Sequence, residues 1–228
     1  MTDLASASGE LRLDLACGQR PREGFEGVDL YACPGVKHVV NLWQFPWPWE
    51  SDSVAEIHCS HHVEHIPMAY VAADGKTYKA VPDAPGDLDL FLRFFDECYR
   101  ILKPGGRMTV ICPTARSNRG FQDPTHRRFI VQESFFYLSR VWRTANGLDH
   151  YLGACDFDAV VEAIGSPGEE VYATEVIEKR YLHYWNVVAD WKATLTAKKA
   201  EARPLPASLP LAGAAEIRLK EKPAAVVV

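Results

Sequence analysis

The sequence predicts an α/β layered fold built on a mostly parallel sheet. Three observations predict it: five short apolar runs rich in β-branched residues, an amphipathic helical segment between the fourth and fifth of them, and turn chemistry at the junctions. LRLDLA (Leu11 to Ala16) has β period and stops at Cys17-Gly18. FEGVDL (Phe25 to Leu30) stops near Cys33-Pro34-Gly35, and KHVVNL (Lys37 to Leu42) runs into the aromatic FPWPW. VAEIHCS (Val54 to Ser60) and RMTVICP (Arg107 to Pro113) carry the β-branched residues that favour strand over helix.

DLDLFLRFFDECYRILKPGG is the clearest helix. Asp87 is placed to cap it, and Phe91, Phe94, Phe95, Cys98 and Leu102 form one apolar stripe. Pro104, Gly105 and Gly106 stop it and turn the chain into the Arg107 run, completing a strand–helix–strand unit. Beyond it, ESFFYLSRVW reads as a helix through Phe135, Leu138 and Trp142, and EEVYATEVIEK and WKATLTAK read as the last two strands.

With 228 residues, 47% of them hydrophobic and 24% charged, the chain has the size of one larger domain. That domain is expected over residues 1–200. Residues 201–228 are expected to form a flexible Pro/Ala-rich tail, because four of the fifteen prolines fall between Arg203 and Pro223 and little apolar surface is left to offset ordering entropy. A net charge of −5 gives no global positive field for coating nucleic acid. No apolar stretch approaches the roughly 18 residues of a membrane span, and the first residues, MTDLASASGELRLD, lack the basic start and apolar core of a secretory leader. The reading is a cytoplasmic protein whose six cysteines, none in a C-x-x-C pair, are reduced thiols.

Open α/β sheets bind ligands beyond the carboxyl ends of their strands. This directs attention to Asp14 to Gly18, Asp29-Leu30, Asn41-Leu42, Ser60-His61-His62 and Pro113-Thr114. Asp29 follows Asp14 at the end of the next strand, where a carboxylate can accept both hydroxyls of a ribose. A nicotinamide dinucleotide would also need a Gly-x-Gly-x-x-Gly phosphate loop. The segment Ala16-Cys17-Gly18-Gln19-Arg20-Pro21 has one of those glycines and a proline, so a cofactor with a ribose and no phosphate fits better.

Taken together, LDLACG, GVDL, VNLWQFPWPWESDSVAEI, HHVEHI and YRILKPGGRMTVICP resemble the ordered signature of class I S-adenosylmethionine-dependent methyltransferases, nearest the small bacterial and phage type 11 group. The resemblance spans Leu11 to about Phe136. It implies a Rossmann-like, mostly parallel sheet of seven strands, the last antiparallel, flanked by helices. It also implies S-adenosylmethionine as cofactor: Asp14, Ala16 and Gly18 at the methionine end, Asp29 and Leu30 on the ribose, Asn41 and Leu42 beside the adenine, and Ser60 and His61 nearby. Ala16 departs from the pattern by replacing the first glycine, and the crossovers after Asp14 and Asp29 are too short for normal helices.

Methyl transfer requires an acceptor held in line with the sulfonium and often a base for its proton. His126, with Asp123 orienting it, is the candidate catalytic pair, and bracing of the turn before Glu133 is the structural alternative. His58, Cys59, His61, His62 and His65 crowd together, but a strand followed by a helix start would split them among faces, so no metal site is read. Glu64 and His65 are expected to fix the helix entry. From Arg100 to Arg143 nine Lys or Arg face only Asp123 and Glu133, which suits either an anionic, small or polymer-attached acceptor or a solvated face paired with acids elsewhere. The alternative functions are a non-catalytic relative that uses the same mouth for binding, and a nicotinamide-dependent oxidoreductase.

Overall fold

Ordered along the chain are β1 (Arg12–Leu15), β2 (Glu26–Asp29), β3 (Val36–Val39), β4 (Val54–Ser60), β5 (Tyr70–Val71), β6 (Tyr78–Lys79), β7 (Leu88–Asp89), α1 (Leu90–Ile101), β8 (Leu102–Pro113), α2 (Arg140–Ala145), β9 (Phe157–Gly165), α3 (Thr174–His183) and β10 (Val188–Ala197). The computed structural model describes residues 9–148, 150, 153–167 and 174–199, so the tail expected over 201–228 lies outside the described residues.

Seven strands form one sheet in the order β3-β2-β1-β4-β8-β10-β9. The first five run parallel, and β10 is antiparallel to both β8 and β9. The fold is therefore the Rossmann-like α/β sheet anticipated from the sequence, with its last strand antiparallel. All five apolar runs of the first half are strands. WKATLTAK lies in β10, whereas the other late strand is β9, some ten residues before EEVYATEVIEK. The described part of that segment, from Thr174, begins α3 instead. The β-branched and aromatic residues of VYATEVIE suit a strand locally, but the edge beside β10 is filled by the FDAVVEAIG of β9.

Helix α1 buries Leu90, Phe91, Phe94, Phe95, Cys98 and Ile101. Its cap is Asp89, whose carboxylate accepts the Phe91 N–H at 2.8 Å. Asp87, the expected cap, instead accepts the backbone N–H groups of Asp83 and Ala84 and binds Lys79. The ESFFYLSRVW helix divides into a 3-10 segment, Gln132–Leu138, and the short α2, with the Ser139 hydroxyl accepting the Trp142 N–H. The aromatic FPWPW belongs to the core: Phe45 and Trp47 are buried and stacked, and the Trp47 N–H is accepted by the buried Glu97 carboxylate. A small sheet, β6-β5-β7, unforeseen from its two-residue strands, fills the connection between β4 and α1. All six cysteines are free.

The crossovers from β1 to β2 and from β2 to β3 carry no helix. They hug the sheet instead. A Cβ on Gly27 would lie 2.6 Å from the Gly35 carbonyl and 2.9 Å from Cys17 Sγ, so only glycine lets both turns close over β2.

Candidate functional site

The carboxyl ends of β1, β2, β3 and β4 converge as the parallel topology requires. The turn after β1 is held in a left-handed conformation at two residues, Ala16 (φ 55°) and Gly18 (φ 57°). Ala16 thus adopts a conformation for which glycine is the natural residue, at a strain of roughly 1 kcal/mol. The Gly18 N–H donates to Asp29 Oδ2 at 2.9 Å, which ties the turn to the end of β2.

A cavity of about 220 Å³ opens there, lined by Ala16, Asp29, Leu30, Asn41, Leu42 and Trp43, with Val40 and His62 completing its wall. Five of the nine residues expected to hold a cofactor share this cavity. Asn41 Oδ1 accepts the Trp43 N–H at 3.0 Å, which fixes the amide and leaves its NH₂ group and a second lone pair for a ligand. Gly18 acts on the cavity through Asp29, and Ser60 does not line it.

Asp14 is buried beneath the turn, and both of its oxygens are engaged: Oδ1 with His58 Nδ1 at 2.8 Å and Oδ2 with the Arg22 N–H at 2.7 Å. Its carboxylate braces the loop from inside rather than lining the cavity. The Cys17 thiol is pushed up to about 11, by burial first and then by Asp14 and Asp29, so the turn holds a protonated thiol in a negative field. Such a field favours a cationic ligand.

His62 closes the cavity from behind. Its ring stacks on Trp43 and lies 5.6 Å from the Phe94 ring, its Nε2 is buried without a partner, and burial pushes its pKa down to about 4. The imidazole is therefore neutral at pH 7.

A second cavity, of about 180 Å³, lies on the other side of the β4 end, with His61, Glu64, His65, Arg119, Asp123 and His126 in its wall. Both residues expected to be catalytic are here, but not as a pair. His126 Nδ1 lies 3.0 Å from the Gly120 carbonyl, so this carbonyl, not Asp123, orients the ring. Asp123 accepts from the Thr125 N–H and hydroxyl, and Thr125 Oγ1 lies 3.0 Å from His65 Nδ1. Asp123 thus reaches His65 through Thr125. Turn formation from Asp123 to Thr125, a short-range preference of Asp, takes the carboxylate away from His126.

The crowded histidines separate only in part: His58 goes to Asp14 and His62 to the first cavity, while His61 and His65 share the second. Sequence reasoning missed the centre of the second cavity, Glu64. Its carboxylate is fully buried, with Oε1 3.3 Å from His61 Nδ1 and 3.9 Å from His126 Nε2. The sequence reading gave Glu64 only the role of fixing the helix entry; the signal available was a charged residue between the apolar Val63 and Ile66, both buried, in the 3-10 turn Val63–His65 and its cap. The Glu64 hydrogen bond raises the His61 pKa.

The basic excess between Arg100 and Arg143 is largely neutralised. Arg100, Lys103, Arg119, Arg128 and Arg140 pair with Glu97, Glu10, Asp190, Asp89 and Asp156 respectively. Arg143 is buried and donates to the carbonyls of Tyr137, Gly153 and Cys155. Only Arg119 of the nine lines the second cavity. A further cavity, about 840 Å³ between the small sheet and Gln132–Leu138, contains none of the residues expected to act. Among the described residues no helix is long and apolar enough to cross a membrane.

No protein-family model matches the chain, and no curated protein matches it. Among solved structures, the chain is similar to a SAM-dependent methyltransferase from Archaeoglobus fulgidus, at 18% identity and TM-score 0.47, covering 82% of this chain and 86% of that one. It is also similar to the geranyl diphosphate C-methyltransferase of Streptomyces coelicolor, solved with Mg2+, geranyl diphosphate and S-adenosyl-L-homocysteine, at 14% identity and TM-score 0.44, covering 84% and 72%. The [4+2]-cyclase SpnF, at 14% identity and TM-score 0.46, covers 84% and 76%.

Proposed function

We propose that the protein is a cytoplasmic methyltransferase of the type 11 kind, which transfers a methyl group from S-adenosylmethionine to a small or polymer-attached acceptor. One observation carries this reading: Asp29 and Asn41, from the ends of two adjacent parallel strands, face one cavity with apolar walls and a negatively polarised turn beside it. Asp29 offers its carboxylate to the ribose hydroxyls, and Asn41 offers a donor and an acceptor to the adenine edge. Leu30, Leu42 and Trp43 supply apolar surface for the base. The Ala16 to Gly18 turn carries the field that suits the sulfonium. Asp14 serves from beneath by holding that turn through the Arg22 N–H.

The methyl group would then point to the His61 side of β4, where the second cavity receives the acceptor. That cavity admits a functional group rather than a whole large molecule. With Nδ1–H donated to the Gly120 carbonyl, His126 Nε2 carries the lone pair that can take the acceptor's proton. Ser60 and His61 separate the two sides.

Isothermal titration of the full chain with S-adenosylhomocysteine tests the cofactor assignment. Saturable one-to-one binding that is weakened in Asp29→Asn is the expected result, and absence of binding overturns the assignment. Binding of the cofactor without turnover across hydroxyl, amine and carboxylate acceptors would instead mark a binding protein on the same fold.

A further inference from the structure

We propose that Glu64, His65 and His126 form a binding site for a divalent transition-metal ion of the zinc class. One ligand atom from each lies within 4.8 Å of the others, and His126 Nε2 is 3.9 Å from Glu64 Oε1. Tetrahedral zinc with bonds of about 2.0–2.1 Å holds neighbouring ligand atoms roughly 3.3 Å apart. Side-chain rotation of about an ångström closes the cluster.

An independent observation points to a cation. Glu64 is fully buried, and its Oε2 has no hydrogen-bond partner, although a buried carboxylate normally has both oxygens satisfied. His61 approaches only Oε1. A metal ion held by both carboxylate oxygens of Glu64 would supply the partner that Oε2 lacks.

The surroundings have the form that fixes metal-bound imidazoles. His126 is oriented by the Gly120 carbonyl, and His65 by Thr125 Oγ1, whose own proton goes to Asp123. Each bond occupies Nδ1 and leaves Nε2 with its lone pair, the arrangement seen when carbonyls and carboxylates back metal-bound histidines. The backbone holds the two segments together: the Glu64 carbonyl accepts the N–H groups of both Arg127 (2.7 Å) and Arg128 (3.0 Å). Ligands separated by some sixty residues are therefore clamped by adjacent main-chain bonds.

Two imidazoles and one carboxylate select a borderline ion such as Zn2+ over Mg2+ or Ca2+, which prefer all-oxygen shells. Three protein ligands leave a fourth position open. Arg119, the guanidinium in the same wall, is neutralised by Asp190 at 2.9 Å and presents no barrier to a cation. The site is independent of the cofactor reading, and in the loaded protein it makes His126 a ligand rather than a proton acceptor.

The test is zinc uptake by the full chain, measured as bound metal after dialysis against limiting Zn2+, with Co2+ substitution to observe ligand-field bands. One equivalent is expected in the wild type and in His38→Ala, which removes an imidazole beside Glu26 on β3. His126→Ala and Glu64→Gln should lose stoichiometric uptake. Thr125→Val, which leaves all three ligands in place, should weaken it about 10–100-fold. Failure of the wild type to retain zinc or cobalt, or uptake by folded His126→Ala equal to wild type, overturns the proposal. If the ligand variants do not fold, unchanged affinity in Thr125→Val overturns it as well. S-adenosylhomocysteine titrations on the same preparations separate the two assignments, since either can fail while the other stands.

Discussion

On one side of the end of β4, His62 is packed against Trp43 and Phe94 with a bare ring nitrogen, and burial pushes it down to about 4. On the other, His61 lies 3.3 Å from Glu64, and that hydrogen bond raises it. Two consecutive imidazoles are thus shifted in opposite directions by the cavities they enter. The left-handed backbone of His61 (φ 53°) turns the chain between them. The contrast teaches that the identity of a residue type says little here: its wall decides whether it is an apolar lining or part of a charged cluster.

The largest effect expected from breaking this arrangement is at its floor. Asp14→Ala leaves the Arg22 N–H and the His58 ring without their buried acceptor, and should cost about 2–4 kcal/mol of stability in chemical denaturation. A ligand-binding defect with unchanged stability would contradict the bracing role given to Asp14.

The pH response comes next. His62 titrates near its ordinary 6.5 when unfolded and near 4 when folded, so below 6.5 the unfolded chain takes up the proton first. Its contribution to stability should therefore decline as pH falls from 6.5 to 4, by roughly 3 kcal/mol, and His62→Phe should flatten that part of the profile. His61 works in the opposite sense. Its pair with Glu64 stabilises below 6.5 and is lost as pH rises through the raised folded value. An NMR titration showing both rings at the same pKa would erase the distinction between the two walls.

Asp29→Asn should weaken S-adenosylhomocysteine binding about 30-fold, the loss of roughly 2 kcal/mol from charge-assisted bonds, with little change in melting temperature. Together with Asp14→Ala it separates an acid that faces ligand from one that holds the fold. The smallest effect is a gain: Ala16→Gly relieves the left-handed strain, and after the added chain entropy of glycine should stabilise by at most about 0.5 kcal/mol.

The first five main-sheet strands and α1 were legible because their signals are local: period-two apolar runs, a helical stripe, and a Pro-Gly-Gly stop. That Asp29, Leu30, Asn41 and Leu42 meet at one cavity was legible for a related reason, since parallel strands must end on the same side. What could not be read depended on partners distant in sequence. Asp87 and Asp89 are equally good caps in isolation, and Lys79, across the small sheet, takes one of them. The late strand was misplaced because the α3 and β9 segments both carry β-branched residues, and pairing with β10 distinguishes them. His126 and Glu64 are joined through main-chain bonds from Arg127 and Arg128 that no spacing rule contains.

The antiparallel course of β10 returns the chain to the amino ends of its neighbours: Thr196 stands opposite Arg107, and Lys199 binds the Arg100 carbonyl. Gly9 and Glu10 precede β1 at that same pole, where Lys103 holds Glu10. An affinity handle or surface tether joined at either end of the described domain therefore starts on the hemisphere away from both cavities. Immobilised protein should present those openings to the surrounding solution.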